Sequence, residues 1–564
     1  MKRRYLLFFW VCFILFSLNG IFVTQLSKKN VPLAISPDSS LTARKVILLP
    51  LDSRSQTMDF PVNLGKLGNI NILLPPIELM DNNTEPAQKD DLLTWLEANV
   101  SDADAIILST DLLLHGGLVA SRRINEDQLT LGYSDEWEKK IDSLLLKLWN
   151  IKKNNPNLKI YSFSIIPRQL VSGEPPATYY QPHLYYYSQY KDKVAQFENS
   201  KDIQKLSEWS SVLPNEIITQ YKLLFERNFI LNQRLIDQTE KGLFDLLVIG
   251  QDDAQPFGIP NWYREKNEIY AKEKQLWNRK VFFTGGTDEI AQLLVARYKI
   301  DDSQTQFKIF TYFTESETSH RIFPYMRETL EVNAAEKLKI LGVEKSSSPD
   351  NSDLILAIHG GFPVSNSTQV EQSVLQINQW LQQSKKVAIT DLSRNFREDQ
   401  TLLPYLIKAN TPLLKLASYA GWNTASNSLG TSLSQGILFS LGKDHEPITE
   451  ALPARHNEQV KFLISRLLDD WAFQKSIQHY ENTWLKLTDS NPYQLGEETG
   501  QVSQRTSSEV RSEFSKLYRD SFVSAPYKLG SQKFYLKDIE MNLYFPWKRT
   551  FEINLTIHPL WIKE

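Results

Sequence analysis

Phe244-Asp245-Leu246-Leu247-Val248-Ile249-Gly250-Gln251-Asp252-Asp253 is the stretch that decides how this chain folds, because a nearly continuous apolar run ends in a polar cluster. A run of strand length without polar alternation is buried on both faces, as in a parallel sheet covered by helices. The loop that follows, Gln255-Pro256-Phe257-Gly258-Ile259-Pro260, is rich in proline and glycine, so neither aspartate reads as a plain helix cap. Two carboxylates crowded at the mouth of an apolar strand raise the pKa of at least one, the condition for a general acid at neutral pH. Asp252 and Asp253 are therefore the candidate catalytic residues.

Working outward, apolar runs at Val46–Pro50, Ile70–Leu74, Ala105–Ser109, Ile160–Ile166, Val281–Thr284, Ile309–Phe313, Leu354–Ile358, Val387–Thr390 and Leu414–Ser418 alternate with longer amphipathic segments. This is the pattern of βα units in a parallel sheet. One such segment, Asp135–Trp149, carries Ile141, Leu144, Leu145 and Leu148 on one helical face, with Asp135 and Glu138 spaced as a capping box. With the Phe244–Gly250 run the candidate strands exceed the eight of a barrel. The expectation is an α/β fold with a (β/α)8-barrel-like parallel sheet and extra strands, or else an open, doubly wound sheet. The main domain is read as 45–442. After it a helical stripe, Val460, Leu463, Ile464, Leu467, Leu468 and Trp471, and a strand-like stretch from Phe534 to Ile557 form an appendage, 443–564.

Polar residues gather where the strands end: Asp52-Ser53-Arg54, Thr110-Asp111 with His115 and Arg122 beyond, Arg168, Asp288-Glu289, His359, Asp391, and Tyr419-Ala420-Gly421-Trp422-Asn423. Parallel strands present their C-terminal ends on one side, so one polar crater is expected there. Plainer readings stand beside that one. Asp52, Asp288 and Asp391 suit helix caps, Glu289 suits a first-turn carboxylate, His359 a satisfied core histidine, and Arg54, Arg122 and Arg168 either scaffold pairs or anion clamps.

Composition excludes several classes. Lys+Arg 63 against Asp+Glu 66 gives a net charge of −3 with no basic stripe, so no nucleic-acid partner is expected. The only cysteine, Cys12, precludes disulfide or thiolate-metal chemistry in the body, and the eight histidines show no close ligand spacing. No cofactor motif is present, and a metal could be held only through carboxylates.

Lys2, Arg3 and Arg4 precede an apolar run from Tyr5 to Leu18 that resumes at Ile21-Phe22-Val23. A basic end followed by enough apolar helix to span a bilayer reads as a signal-anchor over 1–26, with a linker over 27–44. No small-residue cleavage site follows, which favours a membrane anchor over a secreted, cleaved form. The positive-inside rule then places the body outside the cytoplasm.

Several segments carry a resemblance: LLPLDSR (48–54), ILSTDLLLHGGLVASR (107–122), GQDDAQPFG (250–258), GTDEIAQLLVAR (286–297), YAGWNTASNSLGT (419–431), RLLDDW (466–471) and FPWKRTFEI (545–553). In that order, over about residues 44 to 560, they resemble the bacterial family of domain of unknown function 4127, a name that implies no particular activity. A shorter likeness is to β-N-acetylglucosaminidases of the O-GlcNAc hydrolase type, (β/α)8 enzymes with paired aspartates after an apolar strand, then Thr-Gly, then Tyr-x-Trp-Asn. Here Asp252-Asp253, Thr284-Gly285 and Tyr419-Ala420-Gly421-Trp422-Asn423 follow in that order, with Ser164-Ile165-Ile166-Pro167 before them. The likeness implies substrate-assisted hydrolysis of N-acetylhexosamine glycans, with no enzyme nucleophile. Asp252 would orient the acetamido group and Asp253 would act as acid and base. Asn423 would bind a hydroxyl and Tyr419 or Trp422 would wall the pocket. Asp52, Arg54, Asp111 and Arg168 are the further candidate substrate-binding residues, and the expected partner is a carbohydrate. Two other classes fit the same crater: a carboxylate-metal phosphoesterase using Asp52, Asp111, Asp252, Asp253 and Asp288, and a non-catalytic carbohydrate-binding envelope protein.

The compartment is directly testable. The full-length chain should sediment with membranes, and protease added outside intact, wall-stripped cells should digest the body; a soluble pool of full-length protein would refute the anchor.

Overall fold

A computed structural model describes residues 43–123, 135–172, 177–361, 367–393, 400–444 and 452–563. The apolar N-terminal segment lies outside the described residues, and none of the described helices is long and apolar enough to cross a membrane.

The apolar runs form two parallel sheets. The first pairs β1 (Arg44–Leu49), β2 (Ile70–Leu73), β3 (Ala105–Ser109), β4 (Lys159–Ile166), β5 (Leu246–Gln251) and β6 (Val281–Gly285) in the order β2-β1-β3-β4-β5-β6. The second pairs β7 (Lys308–Phe313), β8 (Glu344–Lys345), β9 (Leu354–His359), β10 (Val387–Asp391) and β11 (Ser418–Ala420) in the order β11-β10-β9-β7-β8. Both follow one rule: the second strand goes to an edge, the third returns past the first, and the rest add outward. Each sheet therefore has a reversal point, between β1 and β3 and between β7 and β9, of the kind that marks ligand crevices in open α/β sheets.

The α/β class and the parallel strands match the sequence reading. A closed eight-stranded barrel does not form. Its strands would pair in chain order round a ring, whereas the crossover past β1 leaves β2 at a free edge. The last strand of the second sheet also lies later than its apolar run suggests. Leu413–Lys415 is a short 3-10 helix after Pro412, and pairing with β10 begins only at Ser418. The helix Asp135–Asn154 forms as expected and buries Ile141, Leu144, Leu145 and Leu148.

The two sheets share one core. Val46, Ile107 and Val248 of the first sheet belong to the same apolar cluster as Leu354, Leu356 and Ala388 of the second. Helices Ile290–Ser303 and Ala425–Leu441 lie between them and touch each other. The second of these is buried from Ala425 through Leu438 and rich in serine, with glycines at Gly430 and Gly436. Small residues are required there: a Cβ on Gly430 would stand 2.2 Å from Glu289 Cγ. The opposite face of the second sheet shares an apolar cluster with the helices Ser367–Gln382 and Leu402–Lys408 and with the C-terminal helices, on which packs a three-stranded antiparallel sheet, β12 (Tyr527–Leu529), β13 (Gln532–Tyr544) and β14 (Asn554–Lys563).

One fully buried ion pair ties this arrangement together. Lys337 Nζ donates to Glu289 Oε1 at 2.6 Å with both side chains closed to water, and Ser426 Oγ donates to the same oxygen at 3.0 Å. Removing one partner leaves a buried charge uncompensated, at a cost of about 3–5 kcal/mol. Lys337→Met should lower unfolding stability in urea by that amount, and adding Glu289→Gln should restore much of it; a single variant within about 1 kcal/mol of wild type would contradict the burial.

Candidate functional site

The strand ends of both sheets open on one cavity of about 620 Å³. From the first sheet come Arg54 after β1, Arg122 after β3, Arg168 after β4, Asp252 and Asp253 after β5, and Gly286, Thr287 and Asp288 after β6. From the second come Ser393 after β10 and Gly421 and Asn423 after β11. The C-terminal segment adds Gln474, Lys475, Tyr493, Trp547, Arg549 and Phe551.

Charge is arranged in pairs. Arg54 lies between two aspartates: Nε donates to Asp52 Oδ1 at 3.0 Å, while Nη2 donates to Asp52 Oδ2 at 2.6 Å and to Asp288 Oδ1 at 2.7 Å. Burial works against the Asp52 charge, but the Arg54 guanidinium and the Thr57 hydroxyl hold its carboxyl below the ordinary value. Asp288 is pushed up, by burial first and by the nearby Asp52 charge, against the pull of Arg54. Beside this triad Arg122 meets Asp252 at 2.5 Å, and Arg168 donates to Asp253 at 3.0 Å.

The aspartate pair is asymmetric. Asp252 is buried, and burial pushes its carboxyl up to about 6, with the Asp253 charge adding to the rise and Arg122 opposing it. Asp253 is 30% exposed to the cavity and holds a φ of +22°, a left-handed conformation costly for a residue with a Cβ. Tyr325 and Asn423, which line the same cavity, also have positive φ, at 66° and 50°. Of the three, Asp253 and Tyr325 carry the greater backbone cost, since asparagine tolerates this conformation.

The expected site residues divide cleanly. Arg54, Arg168, Asp252, Asp253 and Asn423 line the cavity. Asp52 stands behind Arg54 as its counter-ion. Asp111 does not reach the cavity: it is buried, accepts the Ile165 amide at 2.9 Å, and is pushed up to about 7 by burial, so it staples β3 to β4. Tyr419 is also buried and donates its hydroxyl to Asp391 Oδ2 at 3.0 Å. Trp422 donates to Thr431 Oγ1 at 3.1 Å and meets Phe60 edge-on, so neither aromatic walls the cavity. For Tyr419, inside β11, the physical reason is alternation, since every second side chain of a buried strand points into the layers above or below; Asp111 and Trp422 lie past their strands and are held inward by the hydrogen bonds just named.

The aromatic lining comes instead from Tyr325 and, in the C-terminal segment, Tyr493, Trp547 and Phe551. Trp547 Nε1 donates to Ser53 Oγ at 2.8 Å, and the ring lies against Arg54 and Arg549 at 5.3 and 4.6 Å. Asn554 Nδ2 donates to Ser55 Oγ at 2.9 Å and to Asp59 Oδ2 at 2.7 Å. The connection between β13 and β14 thus clamps the loop after β1. No periodicity could reveal this, since the partners lie at opposite ends of the chain.

His359 is satisfied internally, with Nδ1 3.2 Å from Glu315 Oε1 and Nε2 3.0 Å from the Gln400 carbonyl. Among the described residues no three His, Cys, Asp or Glu side chains converge as metal ligands do. Between Asp52 and Asp288 the space a cation would need is filled by Arg54.

The model of a family described as protein of unknown function (DUF4127) matches residues 46–556. The chain belongs to that family. No curated protein and no solved structure matches it. Every residue that lines the cavity falls inside the DUF4127 span, including the C-terminal aromatics.

The Asp252 shift has a signed consequence for stability. Its folded pKa of about 6 exceeds the unfolded value of ~3.9, so the folded chain binds more protons between those values. The Asp252 contribution is fully present below about pH 4 and is lost as pH rises through about 6. Asp252→Asn should remove that fall from the stability-pH curve; a variant curve parallel to wild type over this window would refute the burial effect.

Proposed function

We propose that the crater is the active site of an extracytoplasmic glycoside hydrolase that cleaves N-acetylhexosamine-containing glycans by substrate-assisted catalysis. The observation that carries this reading is the aspartate pair after β5: adjacent carboxylates at one polar cavity with aromatic side chains in its lining, the first buried against Arg122 and the second held out on strained backbone. Paired carboxylates in unlike environments are what divides an orienting role from an acid-base role. The likeness to N-acetylglucosaminidases supports this local arrangement and not the architecture, since the sheets here are open.

In this mechanism the acetamido oxygen of the substrate attacks its own anomeric carbon. Asp252 accepts the acetamido N–H and aims the oxygen. Asp253 gives a proton to the leaving oxygen, then takes one from the water that opens the cyclic intermediate. Asn423 is placed to bind a sugar hydroxyl. Phe551, Tyr325 and Tyr493, the exposed aromatic side chains of the lining, offer the apolar faces on which sugar rings stack, the part the sequence reading gave to Tyr419 or Trp422. The metal-dependent phosphoesterase reading gains nothing from a crater in which guanidinium groups already neutralise the carboxylates.

Asp253→Asn should abolish hydrolysis of N-acetylhexosaminides with poor leaving groups but partly spare activated aryl glycosides, which need little protonation. Asp252→Asn should damage both. Wild-type kcat/KM should fall as pH drops through about 6, because a protonated Asp252 cannot accept the acetamido N–H. Chelator should have no effect. No hydrolysis of any N-acetylhexosaminide, or activity lost with chelator and restored by Mg²⁺ or Mn²⁺, would overturn the reading; sugar binding without turnover would mark a carbohydrate-binding protein instead.

A further inference from the structure

Five cationic side chains, Arg54, Arg122, Arg168, Lys475 and Arg549, line the cavity against three acidic ones, Asp252, Asp253 and Asp288. Each of these charges is answered, partly by acids behind the lining: Asp52 serves Arg54, and Glu552 serves Arg549 with Nε to Oε1 at 2.8 Å. Lys475 donates to the carbonyls of Asp391 and Ser393 at 3.1 and 2.5 Å. Arg122 and Arg168 differ from the others, because among the described residues their only ion-pair partners are the two aspartates assigned to chemistry.

Substrate binding therefore disturbs those two pairs alone. When Asp253 takes part in proton transfer, the Arg168 guanidinium, 3.0 Å away, has its nearest counter-charge engaged elsewhere. Asp252 must turn part of its accepting capacity to the acetamido N–H, which weakens its hold on Arg122. Arg122 is more than nine-tenths buried, and its Nε has no hydrogen-bond partner. A neutral sugar would leave two crowded guanidiniums undercompensated out of water, whereas a sugar bringing its own negative charge would restore the balance. Arg168 is 28% exposed, so a ligand can reach it from the cavity. A planar guanidinium pair also matches a carboxylate or phosphate by geometry.

We propose that the glycan carries an anionic group, carboxylate or phosphate, that docks on Arg168 and Arg122 beside the aspartate pair. This names the substrate class of the site and rests on the glycan reading above.

The test compares three substrates on the full-length protein: 4-nitrophenyl N-acetyl-β-glucosaminide, its 6-phosphate, and its 3-O-lactyl counterpart. At least one anionic substrate should show a kcat/KM about tenfold or more above the neutral one, and the ratio should collapse toward unity in Arg168→Gln. Arg168 is chosen because the more buried Arg122 is more exposed to misfolding on substitution. Which anionic substrate wins separates carboxylate from phosphate. Calorimetry with N-acetylglucosamine, its 6-phosphate and N-acetylmuramic acid reads binding apart from turnover. Equal hydrolysis of neutral and anionic substrates overturns the anion site and leaves the glycosidase standing. Arg168-dependent binding of an anionic sugar with no hydrolysis of any substrate does the reverse. No binding and no hydrolysis removes both.

Discussion

Lys337 and Glu289 meet where no water reaches, and three of the segments that frame the crater converge on that contact. Glu289 begins the helix after β6, the outer strand of the first sheet; Lys337 lies on the helix Leu330–Leu341 between β7 and β8; Ser426, which also donates to Glu289, opens the helix after β11. Three segments from two sheets are thereby fixed at one point. A charge this deep is tolerable only with its partner and its hydrogen bonds in place, so the pair specifies a register as much as it stabilises one. With it set, the strand ends of both sheets face a common opening.

At that opening, charge compensation decides what each side chain can do. Arg54 spans Asp52 and Asp288 and is committed to structure, held from the far side by Trp547. Arg122 and Arg168 hold the two aspartates to which the proposed mechanism gives the chemistry, so in that proposal binding and catalysis draw on the same ion pairs. Burial lifts the carboxyl of Asp252 to about 6 because the loss of hydration outweighs the attraction of one guanidinium. Asp253, a single residue later, projects into the cavity only because its backbone accepts a positive φ. The two neighbours thus sit in different dielectric surroundings.

The C-terminal segment is part of the site. Its hairpin connection fixes the loop after β1 through Ser53, Ser55 and Asp59, and it carries Trp547, Arg549 and Phe551 into the lining. The π-helical stretch Leu467–Ile477 adds Gln474 and Lys475, and Asp470 on it accepts the Gly421 amide at 2.8 Å, which ties this stretch to the loop after β11. Wider helical turns of this kind recur at functional sites, where they carry side chains out of ordinary helical phase.

The sequence by itself determined the α/β class, nine of the ten proposed strand positions to within a few residues, and the side of the sheets on which the polar residues gather. It could do so because burial on both faces writes a parallel strand as an unbroken apolar run and because parallel strands share a direction. It also singled out Asp252, Asp253, Arg54, Arg168 and Asn423, through their place just past those runs. The division into two sheets was decided only by tertiary structure, since strand order depends on crossovers that leave no periodic trace. So was the burial of Asp111, Tyr419 and Trp422 and their replacement in the lining by residues such as Trp547 and Arg549. One residue of shift at a strand end turns a side chain from the cavity into the layer beside it. Contacts between residues five hundred positions apart are selected by packing, which acts on shape and charge in space and not on spacing along the chain.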